Sequence, residues 1–326
     1  MSVTIQAGSI KPRIFYRLAA VKRDAAGNEV SRRESELIPN LFTNSGVERL
    51  FGVTIAGQSG LSAMGSCVGT GNAAPAITDT LLDSYLASAW TGGSGWSRSF
   101  TDNGDGTGYV QCTISYLYAV GLATGNIAEV GAYFNSSAGN SSTVLASRAL
   151  VVDSMGDPTT FEVLSDEELQ LTLYFRIFVD YTDRTQVINV NGVDYTLTIR
   201  PQGLGNPGTY WDWPGDLTLN NSSRIVYGTG YALASPTGTS QIVGTGTGAG
   251  GDNLTQGSQG GTNAYIPNSK QRSVWMRRPT GATQNIAGLY IQSHHGSWQI
   301  GISPSIPKSN LQRFTMTIMT SIDNTP

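Results

Sequence analysis

Apolar and polar positions alternate along most of this chain, and the alternation has a period of two. From Gly108 to Tyr116 the residues Tyr109, Gln111, Thr113 and Ser115 fall on one side, while Val110, Cys112, Ile114 and Tyr116 fall on the other. Successive side chains of an extended strand point to opposite faces, so the second set is the expected core face. Ile14–Leu18 reads as an extended apolar segment, and Leu169–Val179 as a long strand dense in Leu, Tyr, Phe and Ile. From Arg313 to Ile322, Phe314, Met316, Ile318 and Thr320 alternate with Thr315, Thr317, Met319 and Ser321. Turn clusters separate these runs at Ala26-Gly27-Asn28, Asp102-Asn103-Gly104-Asp105-Gly106 and Asn191-Gly192. Helical signals are few. Asn44–Phe51 predicts one short helix capped by Asn44 or Ser45, and Thr78–Leu86 a second capped by Thr78 or Asp79. The pattern therefore predicts an all-β protein with minor short helices.

The same elements occur twice. Gly69-Thr70-Gly71, followed by Pro75, recurs as Gly228-Thr229-Gly230, followed by Pro236. Asn126-Ile127-Ala128 recurs as Asn285-Ile286-Ala287. Both pairs share an offset of 159 positions (228 − 69 and 285 − 126), and Tyr116 falls on Trp275 at that offset. Leu169-Gln170 matches Leu311-Gln312 at the shorter offset of 142, as expected if the second copy has lost loop residues, which costs little. The expectation is two tandem, internally duplicated β-sandwich-like domains, 1–183 and 184–326. The second carries a long loop from Gly244 to Gly261 that is almost wholly Gly, Thr, Ser, Gln and Asn, with Asp252 its one charge and Leu254 its one large apolar residue.

Composition changes the picture in one respect. Of 326 residues, 39% are hydrophobic, so two cores of ordinary size can form, but only 13% are charged, about half the globular norm. Forty glycines and abundant small polar residues take the place of charge. A chain that is covered by copies or partners can dispense with a charged surface, whereas one that is alone in solution usually cannot. The net charge is −3, and no basic run is longer than a pair such as Arg32-Arg33 or Arg277-Arg278, which speaks against a nucleic-acid groove. No stretch approaches 18 consecutive apolar residues, so no membrane insertion is expected, and Met1–Gln6 lacks a signal-peptide pattern, which implies synthesis in a cytoplasm. Cys67 and Cys112 are too few for a disulfide framework and are expected to be free strand residues.

Candidate chemistry is sparse. Asp102–Thr107 has oxygen ligands at alternate positions but lacks a closing Glu and flanking helices, so it reads as a hairpin turn rather than a metal site. His294 and His295 are adjacent, face opposite ways on a strand, and have no carboxylate nearby. Glu129 and Asp166-Glu167-Glu168 supply carboxylates, but nothing places a pair across a sugar cleft. No cofactor and no enzymatic activity are expected. Tyr210, Trp211 and Trp213, beside Asp212, form the densest aromatic cluster. They suit either core packing or a contact surface for a sugar or a protein.

Val68–Leu82, with its Gly-Thr-Gly turn, Pro75 and Thr78-Asp79-Thr80-Leu81, resembles a segment of tailed-bacteriophage structural proteins. Ala128–Phe134 resembles the Glu-Val-Gly-aromatic strand that follows it in those proteins, and Asp166–Asp180 resembles their late strand. The likeness covers about half of the first domain. The second domain keeps Gly-Thr-Gly and Asn-Ile-Ala but lacks Thr-Asp-Thr and has Gly288 in place of the Glu. The resemblance implies a virion protein assembled in the bacterial host cytoplasm: a tail fibre, baseplate or appendage component, or a capsid decoration protein. Its implied partners are other virion proteins; bare strand edges that need covering suggest a homo-oligomer, and an alternative reading from a different class is a host-glycan-binding adhesin that uses Trp211, Trp213 and the Gly244–Gly261 loop.

Overall fold

The structure is a computed structural model that describes residues 2–52, 64–90, 97–134, 144–211, 222–253, 258–263, 266, 268–281, 283–293 and 296–322. Its first half contains β1 (Ser2–Arg23), β2 (Glu29–Glu34), β3 (Ile38–Pro39), β4 (Leu41–Phe42), α1 (Asn44–Gly52), β5 (Met64–Gly69), β6 (Tyr85–Ala89) and β7 (Ser97–Asp102). There follow β8 (Thr107–Tyr118), β9 (Gly125–Ile127), β10 (Glu129–Phe134), β11 (Val144–Leu150), β12 (Phe161–Val163) and β13 (Glu168–Asp180). The second half begins with β14 (Arg184–Val190), β15 (Val193–Gln202), α2 (Pro207–Tyr210), β16 (Arg224–Tyr227), β17 (Gly230–Ala232) and β18 (Val243–Thr245). It ends with β19 (Gly250–Asn253), β20 (Gln259–Thr262), β21 (Gln271–Arg278), β22 (Gln284–Ser293), β23 (Gly296–Lys308) and β24 (Phe314–Ile322). The fold is all-β and sandwich-like, with two short helices among the described residues. No helix among them is long and apolar enough to cross a membrane.

Two compact units form. The C-terminal unit takes the chain up to Ile10, Ser99–Val110 and Phe178–Ile322, and the N-terminal unit takes Lys11–Arg98 and Gln111–Ile177. A single cut at 183/184 does not reproduce them, because β1, β8 and β13 each begin in one unit and end in the other. Strand order nevertheless repeats. The five-stranded sheet of the N-terminal unit runs β4-β11-β10-β5-β6; the six-stranded sheet of the C-terminal unit runs β14-β15-β23-β22-β16-β19, the same order with β14 added at one end. The nine-stranded sheet follows the path β20-β21-β24-β1-β13-β8-β7, with β2 and β3 also paired to β1.

The expected core face of β8 is inward: Val110 is buried in the C-terminal unit, and Cys112, Ile114 and Tyr116 are buried in the N-terminal unit. Tyr16, Tyr116 and Tyr118 extend from one sheet to the other, where their hydroxyls need partners once buried. Tyr16 Oη lies 2.6 Å from Ser147 Oγ, Tyr118 Oη lies 2.8 Å from Ser66 Oγ, and Tyr116 Oη donates to the Met64 carbonyl at 3.0 Å. The rings of Phe42 and Phe175 meet edge to face at 6.5 Å. Cys67 and Cys112 are buried, and neither is in a disulfide. In the C-terminal unit, Val226, Ile242 and Tyr290 form a buried cluster against which Tyr231 and Leu233 pack.

Several local expectations are corrected. Helix α1 is capped by Thr43, whose hydroxyl accepts from Gly46 N–H at 3.0 Å, rather than by Asn44 or Ser45. No helix forms at Thr78–Leu86; turns there lead into strand β6. Trp275 does not stand where Tyr116 does: Tyr116 is buried, whereas Trp275 is half-buried beside Gly261 and under the Arg277 guanidinium at 4.7 Å. The Gly244–Gly261 stretch is not one long loop. Its described residues supply part of β18, all of β19 and part of β20, because main-chain ladders need no side chains and glycine permits close approach. Gly251 pairs with Val226, Gly261 lies against the Trp275 indole, and Asp252 joins Arg278 at 2.5 Å. Leu254 lies outside the described residues.

Candidate functional site

Most of Val68–Leu82 folds into one loop, Thr70–Ser84, between β5 and β6 of the N-terminal unit, while Ala128–Phe134 and Asp166–Asp180 supply β10 and β13. Both β5 and β10 are buried along their whole length, and their antiparallel register sets Glu129 opposite Gly69. Glu129 is fully buried, so its carboxylate must be neutralised and hydrogen-bonded there. Its Oε1 accepts from Gly71 N–H at 3.2 Å and Ser84 N–H at 2.6 Å, and its Oε2 accepts from Asp83 N–H at 3.0 Å and Arg148 Nε at 2.8 Å. The Gly-Thr-Gly turn is required by this crowding: a Cβ on Gly69 would lie 2.6 Å from Glu129 Oε1, and one on Gly71 2.5 Å from it.

Arg148, on β11, completes the clamp from the far side of β10. Its other nitrogens donate to Asp79 Oδ2 at 2.8 Å and to the Ala73 carbonyl at 2.9 Å. Asp79 Oδ2 also accepts from Ala76 N–H at 2.9 Å, and Asp83 Oδ2 accepts from Asn72 and Ala73 N–H at 3.1 Å each. Partial burial of Asp79 opposes its charge, but the Ala76 N–H and the Arg148 guanidinium outweigh it and hold the carboxyl below its ordinary range. Burial likewise works against the Arg148 charge, and Asp79 and Glu129 reverse this, raising its pKa. The loop's polar groups thus turn inward, which leaves Ile77, Leu81, Tyr85 and Leu86 exposed, Leu81 at 68%.

The C-terminal unit has a counterpart without the buried ion pair, in which Arg200, paired with Asp183, also donates to the Ala234 carbonyl at 3.0 Å. Gly288 stands where Glu129 would, and the space is filled by Ile242, whose Cδ1 would lie 2.8 Å from a Cβ on Gly288. Gln299, buried on β23, holds the loop backbone through Ala234: its Oε1 accepts from Ala234 N–H at 2.8 Å and its Nε2 donates to the Ala234 carbonyl at 3.2 Å. Here Tyr231 and Leu233 fold onto the apolar cluster instead of facing solvent.

The other sequence candidates are dispersed. Trp211 is fully buried, its indole N–H donating to the Gln202 carbonyl at 2.8 Å and its ring 5.9 Å from that of Trp298, so it is no contact surface. The cause is local: an indole carries its own polar handle and can be buried whole once a carbonyl is in reach. Tyr210 ends α2, but its side chain lies outside the described residues, as do Trp213, His294 and His295. Asp102 and Asp105 belong to a hairpin turn, where Asp102 Oδ1 accepts from Gly104 N–H at 2.7 Å and Asp105 Oδ1 from Thr107 N–H at 2.9 Å. Glu129 and the acidic turn do not converge: Glu167 is paired with Arg33 at 2.7 Å, Asp166 with Lys22 at 2.6 Å and Glu168 with Arg23 at 3.0 Å. Arg148 was not foreseen, although a lone charge within Leu145-Ala146-Ser147-Arg148-Ala149-Leu150 signals a buried cation in need of a carboxylate. A scan against protein-family models, a search of curated proteins and a search of solved structures each found no match to this chain.

Proposed function

We propose that this chain is a virion structural protein of a tailed phage, tail-associated as a fibre, baseplate or appendage component, which acts by binding other virion proteins and carries out no catalysis. One observation supports the reading above the others: the first of the segments that bear the resemblance, Val68–Leu82, is built as a fixed platform. Burying Glu129 and Arg148 has a desolvation cost, and turning Ile77, Leu81, Tyr85 and Leu86 outward forgoes the gain from burying them. The unit with Gly288 and Gln299 avoids both. The charged version is intelligible where a partner covers the exposed apolar residues. The low charge of the chain fits the same reading. Assembly would take place in the host cytoplasm. Host-glycan adhesion is less well supported, because Trp211, its described aromatic candidate, is buried.

The test is mass spectrometry of purified tails and of tail-less heads. Finding the chain in tails supports the proposal, finding it in heads alone moves it to capsid decoration, and finding it in neither particle overturns the virion assignment.

A further inference from the structure

We propose that two copies of this chain join through β14, their edge strands pairing antiparallel about a two-fold axis at Val187. The inference rests on the assembly reading above and names a second copy as one of the partners. Strand β14 ends the six-stranded order, and among the described residues no strand lies on its far side. An open edge offers main-chain donors and acceptors to any passing strand, so folded proteins blunt such edges with charge, proline or brevity. Some of the other strands at the ends of their orders do this: β4 has two residues, β7 carries Arg98 and Asp102, and β19 carries Asp252, while β6 and β20, with five and four residues, carry neither a charge nor a proline. Strand β14 is the longest of them, seven residues whose one charge, Arg184, stands at its start; Thr185–Val193 contains neither a charge nor a proline and is rich in β-formers.

The hairpin fixes which groups point outward. Val190 pairs with Val193 across a two-residue turn in which Asn191 and Gly192 have φ of 54° and 85°, the geometry that makes the closing pair a hydrogen-bonded one. Alternation then turns the backbone groups of Ile188, Gln186 and Arg184 inward to β15 and those of Thr185, Val187 and Asn189 outward. Three outward residues spaced by two are matched by an antiparallel copy in a register centred on Val187. That register pairs Val187 with Val187 of the partner subunit and Thr185 with Asn189 of the partner subunit, so every outward N–H finds a carbonyl. Arg184 then faces Val190 of the partner subunit, and no like charges are opposed. Val187, 62% exposed on the single chain, gains a β-branched cross-strand neighbour. Such a contact is isologous and closes on itself.

Sedimentation velocity of the full chain over about 1–100 µM, the range suited to an interface below ~1,200 Å², tests this. The wild type is expected to shift from monomer to dimer as concentration rises. Val187→Lys, which opposes two ammonium groups at the axis, should weaken dimerisation by roughly tenfold or more, with an unchanged circular dichroism spectrum. Val193→Lys, a 48%-exposed position on the interior strand β15, should dimerise as the wild type does. Val187→Cys should form a covalent dimer on mild oxidation, since Cys67 and Cys112 are buried. A wild type that is monomeric throughout overturns the proposal. Association that Val187→Lys leaves intact also overturns it, while sparing self-assembly through another face.

Discussion

Arg148 and Gln299 occupy the same ladder position in two different sheets. Arg148 pairs with Gly131 on one side and Leu41 on the other, and Gln299 pairs with Tyr290 and Arg200, each neighbour 159 positions further along (290 − 131 and 200 − 41). Both side chains reach the backbone of the loop that follows a Gly-Thr-Gly turn, Arg148 at Ala73 and Gln299 at Ala234. One scaffold therefore carries two ways of holding one loop, one through the buried Glu129–Arg148 pair and one through the buried Gln299 amide, and their energetics differ in ways that can be measured.

Removing one member of the ionic clamp strands the other. Arg148→Met should destabilise the protein by about 3–5 kcal/mol, the usual cost of leaving a buried charge unpaired. Glu129→Leu combined with Arg148→Met should be less destabilising than either change alone, since the C-terminal unit manages without the pair. Urea unfolding of the three variants checks both expectations.

Gln299→Leu tests the amide clamp. It leaves the Ala234 N–H without its partner, while the carbonyl keeps Arg200 Nη1 at 3.0 Å, at a cost of about 1–3 kcal/mol. Faster amide exchange at Ala234, with exchange at Ser84 unchanged, would confine the effect to that loop.

Acid should release the ionic loop. The Asp79 carboxyl is held below its ordinary range, so its contribution is fully present above the unfolded value near pH 3.9 and is lost as pH falls through the lower folded value. Hydrogen exchange at Ala76 should therefore keep its protection down to about pH 4 and lose it below. Asp79→Asn should remove that pH dependence.

Trp211 should be silent in binding and visible in stability. Trp211→Phe removes the indole donor to Gln202 and should cost about 1–3 kcal/mol in urea unfolding. It should also abolish a tryptophan emission component that iodide does not quench, while a glycan array gives the same result for both forms.

Legibility in the sequence followed the range of the interactions. The strands at Gly108–Tyr116, Leu169–Val179 and Arg313–Ile322 could be read because period-two alternation is a local signal, and the Asn191-Gly192 turn because left-handed φ has its own residue preference. The loop at Thr78–Leu86 looked helical because the partners that unwind it, Glu129 and Arg148, lie far along the chain. Trp211 could be read as either core or contact surface because its ring partner, Trp298, is equally remote in sequence. Strands β19 and β20 left no pattern, since glycine ladders have no side chains to alternate. The repeated Gly-Thr-Gly turn was visible, but the reason for its glycines, crowding against the buried Glu129 carboxylate in the first copy and against Thr245 in the second, was not.

The central claim is that the Thr70–Tyr85 loop faces a protein partner. Hydroxyl-radical footprinting of the chain, free and within the assembled particle, tests it most directly. The account predicts strong labelling of Leu81 and Tyr85 in the free chain and marked protection of both on assembly; equal labelling in the two states would contradict it.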